Sequence, residues 1–229
     1  MRLRVVSYNV RSLRDDRAAV VRTLRALDPD VACIQETPRV LRWRSKCAAL
    51  ARESGLLYVA GGATTGAVAI LSALRVDVSA ATEYRLSHTP GLFQRGCVAA
   101  RVSVGRESCV VASFHLGLDA PERARHRREL TGLVDRYGDS VAIIGGDVNE
   151  RPGGPVWTQI TKDFADPATT VGGNYATYPA WQPVDRIDGV FVRGPARVLN
   201  YRVVDDGDTR MASDHLPVVA DIDVNPDQE

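Results

Sequence analysis

Lysine, closely spaced cysteine pairs and an excess of either charge are what this 229-residue sequence has little of. Lys46 and Lys162 are its lysines, and arginine supplies the rest of 29 basic residues. Against 28 acidic residues the net charge is +1, which excludes a strongly basic nucleic-acid tail. The four cysteines, Cys33, Cys47, Cys97 and Cys109, have no zinc-knuckle or redox-pair spacing. Cys33, Cys97 and Cys109 sit in apolar runs, so all four are read as reduced and structural, as in a cytoplasmic protein. No signal peptide is read: Met1 leads straight into a strand-like run. The longest uncharged stretch, 54–74, is broken by Gly61-Gly62 and Thr64-Thr65, and two buried strands with a turn are expected instead of a membrane span.

What is there is an ordinary globular composition, 45% hydrophobic and 25% charged. Collagen-like, disordered and disulfide-scaffold classes are excluded. A chain of this length buries roughly 70% of its extended surface around one core. Charge is uneven along it. Residues 1–50 carry 11 basic and 5 acidic side chains, whereas residues 205–229 carry 1 and 8. The arginine preference is compatible with bidentate phosphate recognition, but a compositional bias explains most of it.

Short β-branched runs alternate with helical patterns. Strands are expected at 3–8, 31–35, 56–59, 67–72, 98–104, 109–114, 141–144, 187–192, 199–204 and 216–224. Helices are expected at 17–27, with Val20, Val21, Leu24 and Leu27 on one face, at 39–53, and from Pro121 with Leu130, Leu133 and Val134 buried. Residues 152–185 read as a long loop with a short helix near Trp157. Without repeat or linker, this is a single α/β domain over residues 1–229.

Polar residues collect where strands end. Asn9 follows Ser7-Tyr8, Glu36 follows Gln35, His115 follows Ser113-Phe114, and Asp147-Val148-Asn149 follows two glycines. Asp188 follows Ile187, and Ser213-Asp214-His215 precedes the last strand. Taken singly, each is explained as a turn residue, a cap or a solvated side chain. Taken together, they are carboxylates, carboxamides and two histidines at the strand ends of one sheet system, where loops on a rigid scaffold carry function. Oxygen-only ligands such as Glu36, Asp214 and the Asn9 carbonyl suit Mg²⁺ or Mn²⁺, whereas zinc asks for more nitrogen or sulfur. The histidines and remaining acids then supply proton transfer and oxyanion stabilisation.

From Ser7 to about Asp223 these pieces occur in the order that resembles the endonuclease/exonuclease/phosphatase superfamily. They are Ser7-Tyr8-Asn9-Val10, Ile34-Gln35-Glu36, 66–72, Ser113-Phe114-His115-Leu116, 145–149, 186–192 and 213–218. The resemblance implies a four-layer α/β/β/α sandwich of two packed mixed β-sheets with the site at one rim. It implies a Mg²⁺-dependent phosphoesterase, with Mn²⁺ able to substitute. Glu36 would be the principal metal ligand, with Asn9 and Asp214 in or near the same shell. Asp147 would orient or deprotonate the attacking water, and Asn149 would position Asp147 and contact phosphate. His215, held by Asp188, would contact a phosphoryl oxygen or the nucleophile, and His115 would donate to a non-bridging oxygen. Arg95 and Arg123 are expected on the substrate side, Arg123 as a support.

This sequence departs from the pattern in places. Arg123 is followed by His126 where many relatives carry Gln, and Trp181 with Asp185-Arg186 only loosely echoes the lipid-headgroup phosphatase branch. Arg11, Arg14, Arg42, Arg44 and Arg95 are candidates for a basic track; Trp43, Phe93, Gln94, Trp157 and Trp181 are candidates for the site walls. A phosphodiesterase or nuclease is the leading expectation, with a phosphate-ester substrate and nucleic acid among its partners, acting as a monomer. A phosphatase or phosphodiesterase for a small phosphorylated molecule or lipid headgroup is the alternative. A catalytically silent binding module is the third reading, disfavoured because no catalytic position has been lost.

Overall fold

In the computed structural model, which describes residues 1–224, two mixed β-sheets pack face to face and helices cover both outer faces. In chain order the strands are β1 (Arg2–Asn9), β2 (Val31–Gln35), β3 (Leu57–Gly62), β4 (Val68–Ser72), β5 (Asp77–Arg85), β6 (Gly96–Val104), β7 (Glu107–His115), β8 (Ala142–Asp147), β9 (Asp188–Arg193), β10 (Ala196–Val203) and β11 (Val218–Val224). The helices are α1 (Arg17–Leu27), α2 (Trp43–Glu53), α3 (Ala120–Asp135), α4 (Pro155–Asp163), α5 (Ala168–Val171) and α6 (Gly207–Ala212). One sheet runs β10-β11-β1-β2-β4-β3 and the other β5-β6-β7-β8-β9. Each contains one parallel pair, β1 with β2 and β7 with β8, among antiparallel neighbours. The expected four-layer sandwich is borne out.

Strand alternation explains the layers. Successive side chains point to opposite faces of a sheet. In β1, Leu3 and Val5 enter the core between the sheets, while Val6 and Tyr8 meet α1 on the outside. In β8, Ile143 faces inward and Ala142 and Ile144 meet α3 and α4. Three apolar clusters result, one between the sheets and one beneath each helical layer. Extending the same parity toward the strand ends aims Ser7 and Asn9, Gln35, Ser113 and His115, Asp147, and Asp188 into the space between the sheets. There Gln35 Nε2 donates to the Ser113 hydroxyl at 3.3 Å, which gives this end of the core a polar floor.

Several elements differ from expectation. Strand β5 went unread because nearly all its residues face solvent at a sheet edge, so its sequence carries no apolar alternation. The short α6 rests on a capping box between Asp206 and Thr209. Helix α2 starts at Trp43, four residues later than expected, because Arg42 takes a left-handed conformation (φ 59°) before it. The final strand starts at Val218, after Leu216-Pro217. Asp227 and Glu229 of the acidic segment lie outside the described residues.

Candidate active site

Strand direction gathers the polar residues at one rim. Strands β1, β2, β7 and β8 end there, while β9 and β11, antiparallel to β8 and β1, begin there. The register pairs Asp147 with Asp188 and flanks Asp147 with His115 on its other side.

Asp147 is the centre of the group and is 1% exposed. Its Oδ1 accepts the Asn149 backbone N–H at 2.8 Å, and its Oδ2 accepts Asn9 Nδ2 at 3.1 Å. Asn149 can close this turn because it holds a left-handed backbone (φ 55°), which asparagine tolerates better than most residues. Its side chain donates to the Leu116 carbonyl at 2.9 Å and lies 3.0 Å from His115 Nε2. Burial, reinforced by the Asp188 charge, pushes the Asp147 carboxyl up to about 7, while His215 and the two donors to Asp147 oppose the rise. Asp147 is therefore poised to exchange a proton near neutrality.

Asp188 and His215, separated by 27 residues, are joined by a 2.8 Å bond between Asp188 Oδ2 and His215 Nδ1. The Thr177 hydroxyl donates to the same Oδ2 at 2.6 Å. The second oxygen, Oδ1, is buried with no partner. His215 Nε2 lies 4.0 Å from Asp147 Oδ2, and the Tyr178 ring packs tilted against the imidazole with centroids 4.9 Å apart. Burial is the largest single influence on His215 and disfavours its charge. The charge and hydrogen bond of Asp188, with Asp147 and Asp214, outweigh it and raise the ring's pKa to about 10. His115 is the opposite case. Burial, together with the Arg95 charge, pushes it well below 6.5 and keeps it neutral. The two histidines thus enter neutral solution in different charge states.

Glu36 sits just past β2 in a left-handed turn (φ 51°), half-buried, with Asn9 Nδ2 3.4 Å from its Oε1. Among the described residues no cationic side chain comes within ion-pair distance of it. Asp214 pairs instead with Arg11, Nε to Oδ2 at 3.2 Å. Asn9 is the link, since its main-chain carbonyl accepts the Ser213 hydroxyl at 2.7 Å, next to Asp214. Asp147, Asp188 and His215 present ligand atoms all within 4.8 Å of one another, a second grouping able to hold a cation. Of the two groupings, Glu36, Asp214 and Asn9 can offer oxygen ligands alone, and with no cation on Glu36 that donor set fits a hard divalent ion.

Arg95 is 7% exposed, and its Nη1 lies 2.8 Å from His115 Nε2, which brings it into the site. Arg123 stands behind it. Its guanidinium donates to the Gly117 and Leu118 carbonyls and to Glu150, fixing the loops that follow β7 and β8. Of the expected walls, Phe93 is exposed near the site, whereas Trp157 is buried against Phe191 in the outer core. Thr177 and Tyr178 were missed. They lie in the long Gly- and Thr-rich loop, and only the fold brings them to Asp188 and His215.

The sequence profile of the Endonuclease/Exonuclease/phosphatase family matches residues 6–215. No curated protein matches the sequence significantly. Among solved structures, an endonuclease/exonuclease/phosphatase from Bacteroides vulgatus is similar with a TM-score of 0.83 at 16% identity, covering 98% of this chain and 99% of that one. A mannosyl-6-phosphatase from Bacteroides thetaiotaomicron superposes with a TM-score of 0.80 at 18% identity, covering 97% and 100%. TDP2 from D. rerio, complexed with a single-strand DNA product, gives 0.74 at 17% identity, covering 97% and 99%. At these identities the likeness is one of fold.

Proposed function

The chain belongs to the endonuclease/exonuclease/phosphatase family, enzymes that hydrolyse phosphoric esters, and from that premise we propose that it is a Mg²⁺-dependent phosphoesterase working by in-line attack of water. The observation that carries this reading is the buried group at the rim, in which Asp147 lies 3.4 Å from neutral His115 and 4.0 Å from charged His215. A general base is most effective with a pKa near the working pH, and Asp147 has been brought there. In this reading Asp147 takes the proton of the attacking water. Asn9 and the Asn149 N–H hold its carboxylate in place. Protonated His215 offers Nε2–H to a phosphoryl oxygen, while Asp188, itself held by the Thr177 hydroxyl, fixes the other side of its ring. His115, neutral and held beside Arg95 and Asn149, donates to a second non-bridging oxygen.

Glu36, Asn9 and Asp214 are the residues that would hold Mg²⁺ or Mn²⁺. Such an ion polarises the phosphoryl group and offsets charge gathering on its oxygens. Asp214 would exchange its Arg11 partner for the ion. A single catalytic domain over residues 1–229, active as a monomer in the cytoplasm, completes the reading. The four cysteines, buried and free of disulfides, support that setting. No helix among the described residues is long and apolar enough to cross a membrane.

The test is a panel with Mg²⁺ and Mn²⁺: plasmid DNA, abasic DNA, RNA, a bis-nitrophenyl diester, a nitrophenyl monoester and phosphoinositides. Metal-dependent release of product from a diester or nucleic acid, lost in Asp147→Asn, is expected. No hydrolysis of any member would overturn the reading.

A further inference from the structure

Beside the site is a pocket of about 500 Å³, built from loops of both sheets. Arg14 comes from the segment after β1, Arg39 from the β2–α2 loop, Lys46 from α2, and Phe93 and Arg95 from the β5–β6 loop. Leu118, after β7, closes one wall. The pocket is not a separate cavity, because two of its lining residues belong to the candidate site. Glu36 is one, and Arg95, in contact with His115, is the other. The pocket therefore adjoins the candidate site at Glu36 and Arg95.

In this pocket four cationic side chains, Arg14, Arg39, Lys46 and Arg95, face a single carboxylate, Glu36. Several arginines outside it hold carboxylates, as Arg22 holds Asp208, Arg75 holds Asp30 and Arg210 holds Asp205, and what sets the pocket apart is four cations around one small space. Among the described residues Arg14, Arg39, Lys46 and Arg95 hold none, and Arg39 and Arg95 are close enough to oppose each other's charge. Gathering like charges around a small space is unfavourable unless an anion joins them. Arginine forks match phosphate oxygens in particular. The walls have a second character. Phe93 is 70% exposed and Leu118 is 71% exposed, large apolar surfaces beside the cations, and Arg39 lies over the Phe93 ring at 5.6 Å. The volume suits one nucleotide-sized group, in the range of roughly 300–1,000 Å³ of small-molecule sites, and not a duplex.

Resting on the phosphoesterase reading above, we propose that this pocket binds a second phosphate of the substrate. The substrate class is then a phosphoester whose ring-bearing organic part carries another phosphate beyond the one being hydrolysed. Arg14, Arg39 and Lys46 receive that second phosphate. Phe93 and Leu118 cover the ring, and Arg95 stands where the two subsites meet. A free bisphosphate and the end of a single strand share this chemistry.

Calorimetry in EDTA separates binding from turnover. The probes are adenosine 3′,5′-bisphosphate, adenosine 5′-monophosphate and a 5′-phosphorylated deoxyadenosine dinucleotide. We expect the bisphosphate and the dinucleotide to bind at least about tenfold more tightly than the monophosphate. We expect the gap to close in the Arg14→Gln/Lys46→Gln double variant, whose altered side chains are on the surface. Arg39→Gln, with folding checked by circular dichroism, gives an independent second variant. Preference for the dinucleotide identifies a strand end as the source, and preference for the bisphosphate a free metabolite. Equal affinity for one and two phosphates, or a gap that survives both variants, would overturn the proposal. Absence of hydrolysis with Mg²⁺ would count against the phosphoesterase reading alone, since the binding gap is read without turnover.

Discussion

Asp188→Asn tests the proposed mechanism at its centre. The change keeps the shape of the side chain, and Asn can still accept a hydrogen bond from His215 Nδ1 and meet the Thr177 hydroxyl. What it removes is charge. Asp188 heads the influences that raise His215 to about 10, so without it the ring falls back toward or below its free value of roughly 6.5. At pH 8 the protonated fraction would drop from nearly all of the molecules to a few per cent, a loss on the order of thirtyfold. Loss of the charge that orients and supports the ring adds to this, so kcat should fall roughly a hundredfold or more, with Mn²⁺ affinity at Glu36 near wild type and some loss of thermal stability as the buried pair is broken. The pH profile carries the sign. In the wild type, activity rises as Asp147 loses its proton near 7 and falls as His215 loses its proton near 10. In the variant the alkaline limb moves to lower pH. The acid limb moves the same way, because Asp188 raises the Asp147 carboxyl more strongly than His215 lowers it. The assay is the kcat–pH profile together with NMR titration of the imidazole nitrogens. A ring that titrates identically in both proteins would refute the pairing.

The four-layer fold was legible because its buried strands alternate so regularly. Leu3 and Val5 against Val6 and Tyr8, or Ile143 against Ala142 and Ile144, separate the inner and outer faces by residue order alone. The same parity, continued to the strand ends, aims Asn9, His115, Asp147 and Asp188 at one another, which is why strand-end polar residues pointed to a site. What stayed hidden lacks such a repeat. Strand β5 buries almost nothing, so no pattern marks it. Thr177 and Tyr178 reach Asp188 and His215 from an irregular loop whose path is set by tertiary contacts. The raised Asp147 carboxyl was missed for a physical reason: desolvation depends on depth, and sequence order carries no depth. Arg11 on Asp214 was unread because it depends on three consecutive left-handed residues, Arg11, Ser12 and Leu13, none of them glycine.

The remaining predictions concern metal, salt and packing. Glu36→Gln keeps the shape and removes the charge, so calorimetric Mn²⁺ affinity should be mostly lost; unchanged binding would remove Glu36 from the metal shell. Because the basic residues line a compact pocket, raising salt from about 50 to about 200 mM should lower kcat/KM on a single-stranded oligonucleotide less than about tenfold; a loss of about 10³ would indicate a long phosphate track. Gly146→Ala should weaken both fold and catalysis, since a Cβ there would stand 2.2 Å from the Phe114 carbonyl oxygen and 2.7 Å from its ring. A backbone atom cannot step aside as a side chain can, so β8 must move against β7, at a cost of roughly 1–3 kcal/mol in urea unfolding, and Asp147, the next residue, moves with it. Gly145→Ala is the control: its Cβ would meet the Cys33 side chain at 3.1 Å, which can give way, so wild-type stability in Gly146→Ala, or equal damage in both variants, would show that the β7–β8 spacing does not hold Asp147 in place.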